Sequence, residues 1–263
     1  MGRGRKTLLI FAGILPVLCS AMCEGKSGGG AASPVLRITP RIIRTIPHDG
    51  NAFTQGLCFK SGVLYESDGL YGESALRTLD TGGTVIVKRN VAPTVFAEGC
   101  AFLDGRIFQL TWREQRCYVY SAPGLAPADS VPYGGEGWGL CTAEGRLVMS
   151  NGTDTLYTRN RQFALAGKTA VTCEGKPLPN LNELEYARGR IFANVWYSDF
   201  IFEINPQSGA VERIVDCGEI VRQENPSSPD YVLNGIAYRP DNGLFYITGK
   251  KWKNIYIVEI PAP

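Results

Sequence analysis

The stretch QGLCFKSGVLY, residues 55–65, reads as two short apolar runs hinged on Gly62, and the pattern recurs along the chain. Gln55-Gly56-Leu57, Glu98-Gly99-Cys100, Trp138-Gly139-Leu140, Asn182-Glu183-Leu184 and Asn234-Gly235-Ile236 each open such a run. The runs meet glycines at Gly62, Gly105, Gly145, Gly189 and Gly243, seven residues after the opening in the first four copies and nine in the fifth. There Pro240, Asp241 and Asn242 lengthen the turn. A second apolar run follows each glycine: Val63 to Tyr65, Ile107 to Leu110, Leu147 to Met149, Ile191 to Val195 and Leu244 to Ile247. Each copy is therefore a β-hairpin.

Further strand pairs lie between the hairpins. Ala75 to Leu79 pairs with Thr84 to Lys88 across Thr81-Gly82-Gly83, and Phe200 to Ile204 with Ala210 to Val215 across Pro206-Gln207-Ser208-Gly209. Four strands per unit, with openings 43, 40, 44 and 52 residues apart, match the blade of a β-propeller. The predicted fold class is all-β, a five-bladed β-propeller over residues 35–263. The last unit, from Asn234, runs out after its third strand, Ile255 to Ile260. Val35 to Ile46 is expected to complete it, pairing N- and C-terminal strands so that the ring closes without a bare edge.

The chain has 263 residues, 44% hydrophobic and 20% charged, enough to bury a core. Its formal charge is +2, and the first 22 residues carry Arg3, Arg5 and Lys6 and no acids, leaving −1 for the rest. No nucleic-acid partner is expected from such a balance. The single histidine, His48, argues against a serine or cysteine triad, and no His/Cys cluster has zinc-ligand spacing.

Arg3, Arg5 and Lys6 precede an apolar run from Leu8 to Leu18 and small residues at Ser20 and Ala21, the layout of a signal peptide over residues 1–22. That run is shorter than the roughly 20 residues of a membrane-spanning helix, so no span is predicted. Residues 23–34, with Gly28-Gly29-Gly30, read as a flexible linker. Cys23 stands where a lipid-attachment cysteine could lie, although Ser20, Ala21 and Met22 fit that pattern poorly. The expectation is an exported protein, periplasmic or secreted, and a monomer. Export permits disulfides among Cys58, Cys100, Cys117, Cys141, Cys173 and Cys217; the alternative is buried free thiols, at least as good a reading for Cys58, Cys100 and Cys141.

A hairpin returns its last residues to the end where it began, so the opening position and the one fourteen residues later are neighbours. The openings are Gln55, Glu98, Trp138, Asn182 and Asn234; the returning positions, corrected for the longer fifth turn, are Gly69, Trp112, Gly152, Trp196 and Lys250. First strands line a propeller's channel, so both sets should ring one mouth. Three of four tryptophans, one acid, one lysine and three amides thus converge, the mixture of aromatic walls and a few polar groups that makes a ligand pocket. Glu98 is the one acid in the ring, and desolvation among indoles should raise its pKa towards the range useful in proton transfer. A salt bridge with Lys250 is its structural alternative. Glu66, Asp68, Glu136, Glu183 and Glu185 are expected at turns or on blade surfaces, with Glu183, which adjoins Asn182, kept as a further candidate at the ring.

At these residues the chain resembles the plant-type (type I) glutaminyl cyclases, or glutaminyl-peptide cyclotransferases, which also occur in bacteria. The resemblance lies in Phe53-Thr54-Gln55-Gly56-Leu57, Leu64-Tyr65-Glu66-Ser67, Gly69-Leu70-Tyr71-Gly72, Phe96-Ala97-Glu98-Gly99 and Gln109-Leu110-Thr111-Trp112. It continues in Gly137-Trp138-Gly139-Leu140, Leu181-Asn182-Glu183-Leu184-Glu185-Tyr186, Ala193-Asn194-Val195-Trp196, Leu233-Asn234-Gly235-Ile236-Ala237-Tyr238 and Thr248-Gly249-Lys250-Lys251-Trp252. Ala97 replaces the usual glycine, and Asp68 stands where a threonine is common. The resemblance implies a five-bladed propeller that turns an N-terminal glutamine of peptides or proteins into pyroglutamate with release of ammonia. It implies Glu98 as the acid/base, Gln55, Asn182 and Lys250 as polar partners, and Trp112, Trp138 and Trp196 as walls, with Phe53 and Asn234 also assigned to substrate binding. No cofactor and no catalytic metal are required on this reading, which leaves room for a structural calcium. Two rivals remain: a calcium-dependent propeller hydrolase such as a lactonase, with Glu98, Asn182 and Asn234 as oxygen ligands, and a non-enzymatic propeller that binds sugars or peptides.

Overall fold

The computed structural model describes residues 34–262; the expected signal peptide, the linker up to Ser33 and the Cys23 question lie outside them. Five sheets form the blades of a propeller, each with four antiparallel strands and one with an added fifth. Their inner strands are Thr54–Lys60 in blade I, Ala97–Leu103 in II, Leu140–Ala143 in III, Leu181–Ala187 in IV and Leu233–Arg239 in V. Five hydrophobic clusters fill the five spaces between neighbouring blades; Tyr65 and Leu76 of blade I, for instance, pack with Cys100, Ile107 and Tyr120 of blade II. Among the described residues no helix is long and apolar enough to cross a membrane.

The ring closes as expected, with one correction. Arg41–Pro47 pairs antiparallel with Asn254–Glu259 and supplies the fourth strand of blade V. Leu36–Ile38 does not continue that strand; it pairs parallel with Val211–Asp216 as a fifth strand on blade IV. The division falls at Thr39-Pro40, where proline has no N–H for a ladder. Each end of the described chain is thus held in a different blade.

Hairpin geometry follows the glycines. Lys60 pairs with Val63, Leu103 with Arg106, Ala143 with Arg146 and Ala187 with Arg190, so four inner hairpins have two-residue turns. Both turn residues have positive φ in each, as in Asp104 (50°) and Gly105 (77°), the type I′ geometry that matches strand twist. In blade V Arg239 pairs with Leu244 across four residues, which accounts for the longer spacing there. The 52-residue step from blade IV to V holds a short helix, Gly218–Glu224, whose last residue accepts hydrogen bonds from Asn254 Nδ2 (2.9 Å) and the Tyr256 hydroxyl (3.2 Å).

Around the channel the inner strands meet backbone to backbone. A Cβ on Gly56 would overlap the Cys100 amide, one on Gly99 the strand of blade III, and one on Gly139 the Asn182 carbonyl. Blade IV has Glu183 at this level, and its side chain occupies the channel: Oε1 accepts from Leu57 N across the ring (3.2 Å) and Oε2 from Ile236 N next door (2.9 Å). Burial pushes the Glu183 carboxyl well above the usual range, against those two backbone donors.

Glu183 was expected near the surface; so were Glu66 and Asp68, and all three are buried. Glu66 is bound by His48 Nε2 (2.8 Å), Thr54 Oγ1 (2.7 Å) and Arg77 Nη2 (2.5 Å), while Arg77 Nε lies 2.8 Å from Asp68. Burial alone would raise the Glu66 pKa, but His48 and Arg77 hold it below the ordinary value. A binary pattern of apolar and polar positions does not foresee acids whose partners come from other strands. Glu185 is half-buried, its carboxylate accepting from Tyr238 N (3.3 Å) and Tyr186 N (2.8 Å). All six cysteines in the propeller are free thiols, four of them buried.

Gly139→Ala should lower the denaturant midpoint by an amount equivalent to about 1–3 kcal/mol, the usual cost of overpacking, with the m-value unchanged. An unaltered midpoint would contradict the backbone contact.

Candidate active site

Four inner strands carry a β-bulge at their opening residues. Thr54 pairs with Asp68 and Gly56 with Ser67, leaving Gln55 as the extra residue. Register also shifts between Ala97 and Cys100, Leu181 and Leu184, and Leu233 and Ile236, the segments holding Glu98, Asn182 and Asn234. Bulges re-aim side chains and end regular pairing. They also change the neighbour of the returning strand: Gly69 N donates to Phe53 O (2.8 Å), Trp112 N to Phe96 O (2.9 Å), Trp196 N to Asn180 O (2.9 Å) and Lys250 N to Val232 O (3.0 Å). The returning residue thus pairs two positions before the opening one.

One cavity of about 210 Å³ gathers Phe53, Gln55, Glu98, Trp112, Trp138, Asn182, Trp196 and Lys250, all predicted, together with Phe96. This is smaller than the ~300–1,000 Å³ of drug-sized sites and suits a single amino-acid residue. Phe96 was not among the predicted site residues because the bulge puts it, and not only Glu98, at the mouth; its signal was an aromatic two residues before the opening, matching Phe53. Asn234 is buried behind the cavity and does not line it. Its Nδ2 donates to Thr54 O (2.9 Å) and Gln55 Oε1 (3.2 Å), so it positions Gln55. Of the oxygen-ligand set of the calcium reading, Glu98 and Asn182 line this cavity and Asn234 does not.

Glu98 is 4% exposed and accepts from Gln55 Nε2 (3.1 Å). Asn234, Gln55 and Glu98 form one relay of hydrogen bonds that fixes the carboxyl. Burial pushes its pKa well above the usual glutamate range; Lys250 pulls it down, and Glu136 and Glu114 add to the rise. Lys250 makes no ion pair with Glu98. Its Nζ stands 4.8 Å from the centre of the Phe53 ring, and burial lowers its pKa against the pull of Glu98 and Asp230.

The turn bearing Lys250 is braced by the fourth tryptophan. Trp252 packs its indole on Gly249, donates Nε1 to Tyr231 O (2.7 Å), and gives its own carbonyl to His48 Nδ1 (2.8 Å). The walls are fixed in a similar way. Trp138 and Trp196 meet edge to face (5.6 Å, 87°), as do Phe96 and Trp112 (5.5 Å, 62°). Glu136, in a loop and partly exposed as expected, accepts from both Trp112 Nε1 (2.8 Å) and Trp138 Nε1 (3.1 Å), and from Arg113 Nε (3.2 Å). Burial would raise its pKa, but these donors hold it below the ordinary value. Glu136 is thus a charged clamp on two walls, and Glu98 the acid that faces the cavity. The Asn182 carboxamide leaves a buried Oδ1 without a partner at the cavity wall, an acceptor open to a ligand N–H.

A buried, weakly bonded carboxyl, a lysine kept at a distance and an open amide acceptor suit proton transfer to and from nitrogen. The model of a family described as glutamine cyclotransferase matches residues 14–260. A glutaminyl-peptide cyclotransferase of Arabidopsis thaliana is 34% identical over 244 residues, spanning 90% of this chain and 76% of that protein. A crystal structure of Myxococcus xanthus glutaminyl cyclase matches at a TM-score of 0.81 and 38% identity, covering 86% of this chain and 97% of that one. Fold, site and comparisons agree: this chain belongs to the glutamine cyclotransferase family.

Proposed function

We propose that the protein cyclises N-terminal glutamine of peptides and proteins to pyroglutamate, releasing ammonia, with Glu98 as the group that carries the proton. The observation that supports this most is the Glu98 carboxyl, buried with Gln55 as its hydrogen-bond donor in a cavity walled by three indoles. The α-amine of the substrate and its own carboxamide already share one molecule. What the site adds is the bent conformer, a dry environment and proton traffic.

The reaction needs the α-nitrogen to attack the side-chain carbonyl carbon, forming a C–N bond and an oxyanion. Glu98, as carboxylate, takes the proton that the attacking amine loses. It then hands that proton to the side-chain nitrogen as the old C–N bond breaks, so that ammonia departs and the carboxylate returns. One group serves both steps. Its raised pKa makes it a stronger base towards the attacking amine than an ordinary glutamate. Asn182 Oδ1 receives a substrate N–H, and Lys250 and the Gln55 amide oppose the growing negative charge.

The side chains supply every step, and the reaction on this reading requires no metal or other cofactor. The cavity is completed by one chain's five blades, and a monomer is the active unit. The basic and apolar amino-terminal residues support export, so the substrates are periplasmic or secreted proteins.

Glu98→Gln should lower kcat for a Gln-initiated peptide about 10²–10⁴-fold, with KM little changed, in a coupled ammonia assay. A nearly normal rate would refute the assignment. The titration midpoint of Glu98, followed by its carboxyl C=O stretch against Glu98→Gln, should lie well above the ~4.3 of ordinary glutamate. Lys250→Met should raise it further, since the lysine's charge favours the carboxylate; a lower midpoint would contradict that sign. Chelator should leave kcat unchanged, and a metal that serves only the fold would appear as a lowered Tm at constant kcat.

A further inference from the structure

A second cavity, about 380 Å³, adjoins the catalytic one and shares Phe53, Trp196 and Lys250 with it. Its far side is formed by Leu70, Tyr197, Asp230, Tyr231 and Lys251. An unbroken line of rings joins the two. Trp138 meets Trp196 edge to face, and Trp196 lies against Tyr197 with centroids 4.7 Å apart and planes 30° from parallel. Exposure grows along this line, reaching 39% at Trp196 and 58% at Tyr197. Leu70, Tyr197 and Lys251 hold φ of 85°, 61° and 56°, left-handed backbone that non-glycine residues adopt at a cost and that concentrates at ligand clamps.

A peptide whose first residue fills the catalytic cavity must lead its chain out past these shared side chains. We propose that the adjoining cavity is the subsite for the second residue of the substrate, and that it takes an apolar, above all aromatic, side chain. This rests on the cyclase reading. Each charged side chain that lines it already has a neighbour on the protein. The Tyr197 hydroxyl donates to Asp230 Oδ1 (2.6 Å), Lys250 Nζ stands 4.8 Å from the centre of the Phe53 ring, and Lys251 Nζ stands 6.0 Å from the centre of the Tyr231 ring. What remains for a ligand is the area of the Trp196 and Tyr197 rings, which an aromatic side chain covers best. Tyr197 is therefore a specificity residue: it touches the second residue and leaves the proton transfer to Glu98.

The test compares kcat/KM for Gln-Phe-amide, Gln-Leu-amide, Gln-Gly-amide and Gln-Glu-amide by ammonia release. Half-burying a large apolar side chain should favour Gln-Phe-amide over Gln-Gly-amide about five- to tenfold, chiefly through KM, with Gln-Glu-amide no better than Gln-Gly-amide. Tyr197→Ala should bring the Phe/Gly ratio close to unity. Equal efficiency for all four peptides in the wild type, or a ratio untouched by Tyr197→Ala, would overturn the subsite while leaving cyclisation standing. Absence of ammonia from every peptide would overturn the cyclase reading and the subsite with it.

Discussion

Close approach of backbone to backbone at the centre of the ring is the constraint on which the site depends. Gly56, Gly99 and Gly139 each stand where a side chain would strike the backbone of the neighbouring blade, and Gly235 is confined less tightly, by the side-chain methyls of Thr54 and Thr248. With the strands so near, residues one step above this level cannot avoid one another. The bulges then turn those residues inward, and Gln55, Glu98 and Asn182 reach one small cavity from three blades. Glu183 plays the complementary part below, tying blades I, IV and V through two backbone amides where a fifth glycine would leave the channel empty.

That geometry decides the electrostatics. A carboxyl at the converging ends of five strands, under three indoles, loses most of its hydration, and desolvation dominates its pKa. Lys250 is near enough to temper the shift and is held off by its seat over Phe53. Had the two formed an ion pair, Glu98 would be an ordinary carboxylate, a poor donor to departing ammonia. Glu136 marks the contrast. Its own carboxylate is satisfied by two indole N–H groups and an arginine, so it stays ionised and serves as a clamp.

The repeat was legible because two-residue turns demand positive φ at fixed spacing, and glycine answers that demand in four blades, with Gly243 ending the longer turn of the fifth. Seven of the residues around the cavity could be named for the same reason, and Phe53 from the family resemblance. The bulges were not legible, since an extra residue in one strand leaves apolar spacing intact while moving its partner. Phe96 was missed on that account, and Asn234, read as a substrate contact, turned out to hold Gln55 from behind. Val35 to Ile46 read as one strand because its composition is uniform; Pro40 divides it between two blades. Glu66 and Asp68 were misread because their partners lie on other strands: Arg77 stands opposite Glu66 on the adjacent strand of blade I, and His48 arrives when blades I and V close.

The most direct test of the whole account is a crystal structure of the Glu98→Gln variant with Gln-Phe-amide bound. The peptide's α-nitrogen should lie within about 3.2 Å of the side chain at position 98, a hydrogen-bond distance, with its carboxamide curled back among Trp112, Trp138 and Trp196. A peptide seated elsewhere on the ring, or entering with its amine turned to solvent, would contradict it.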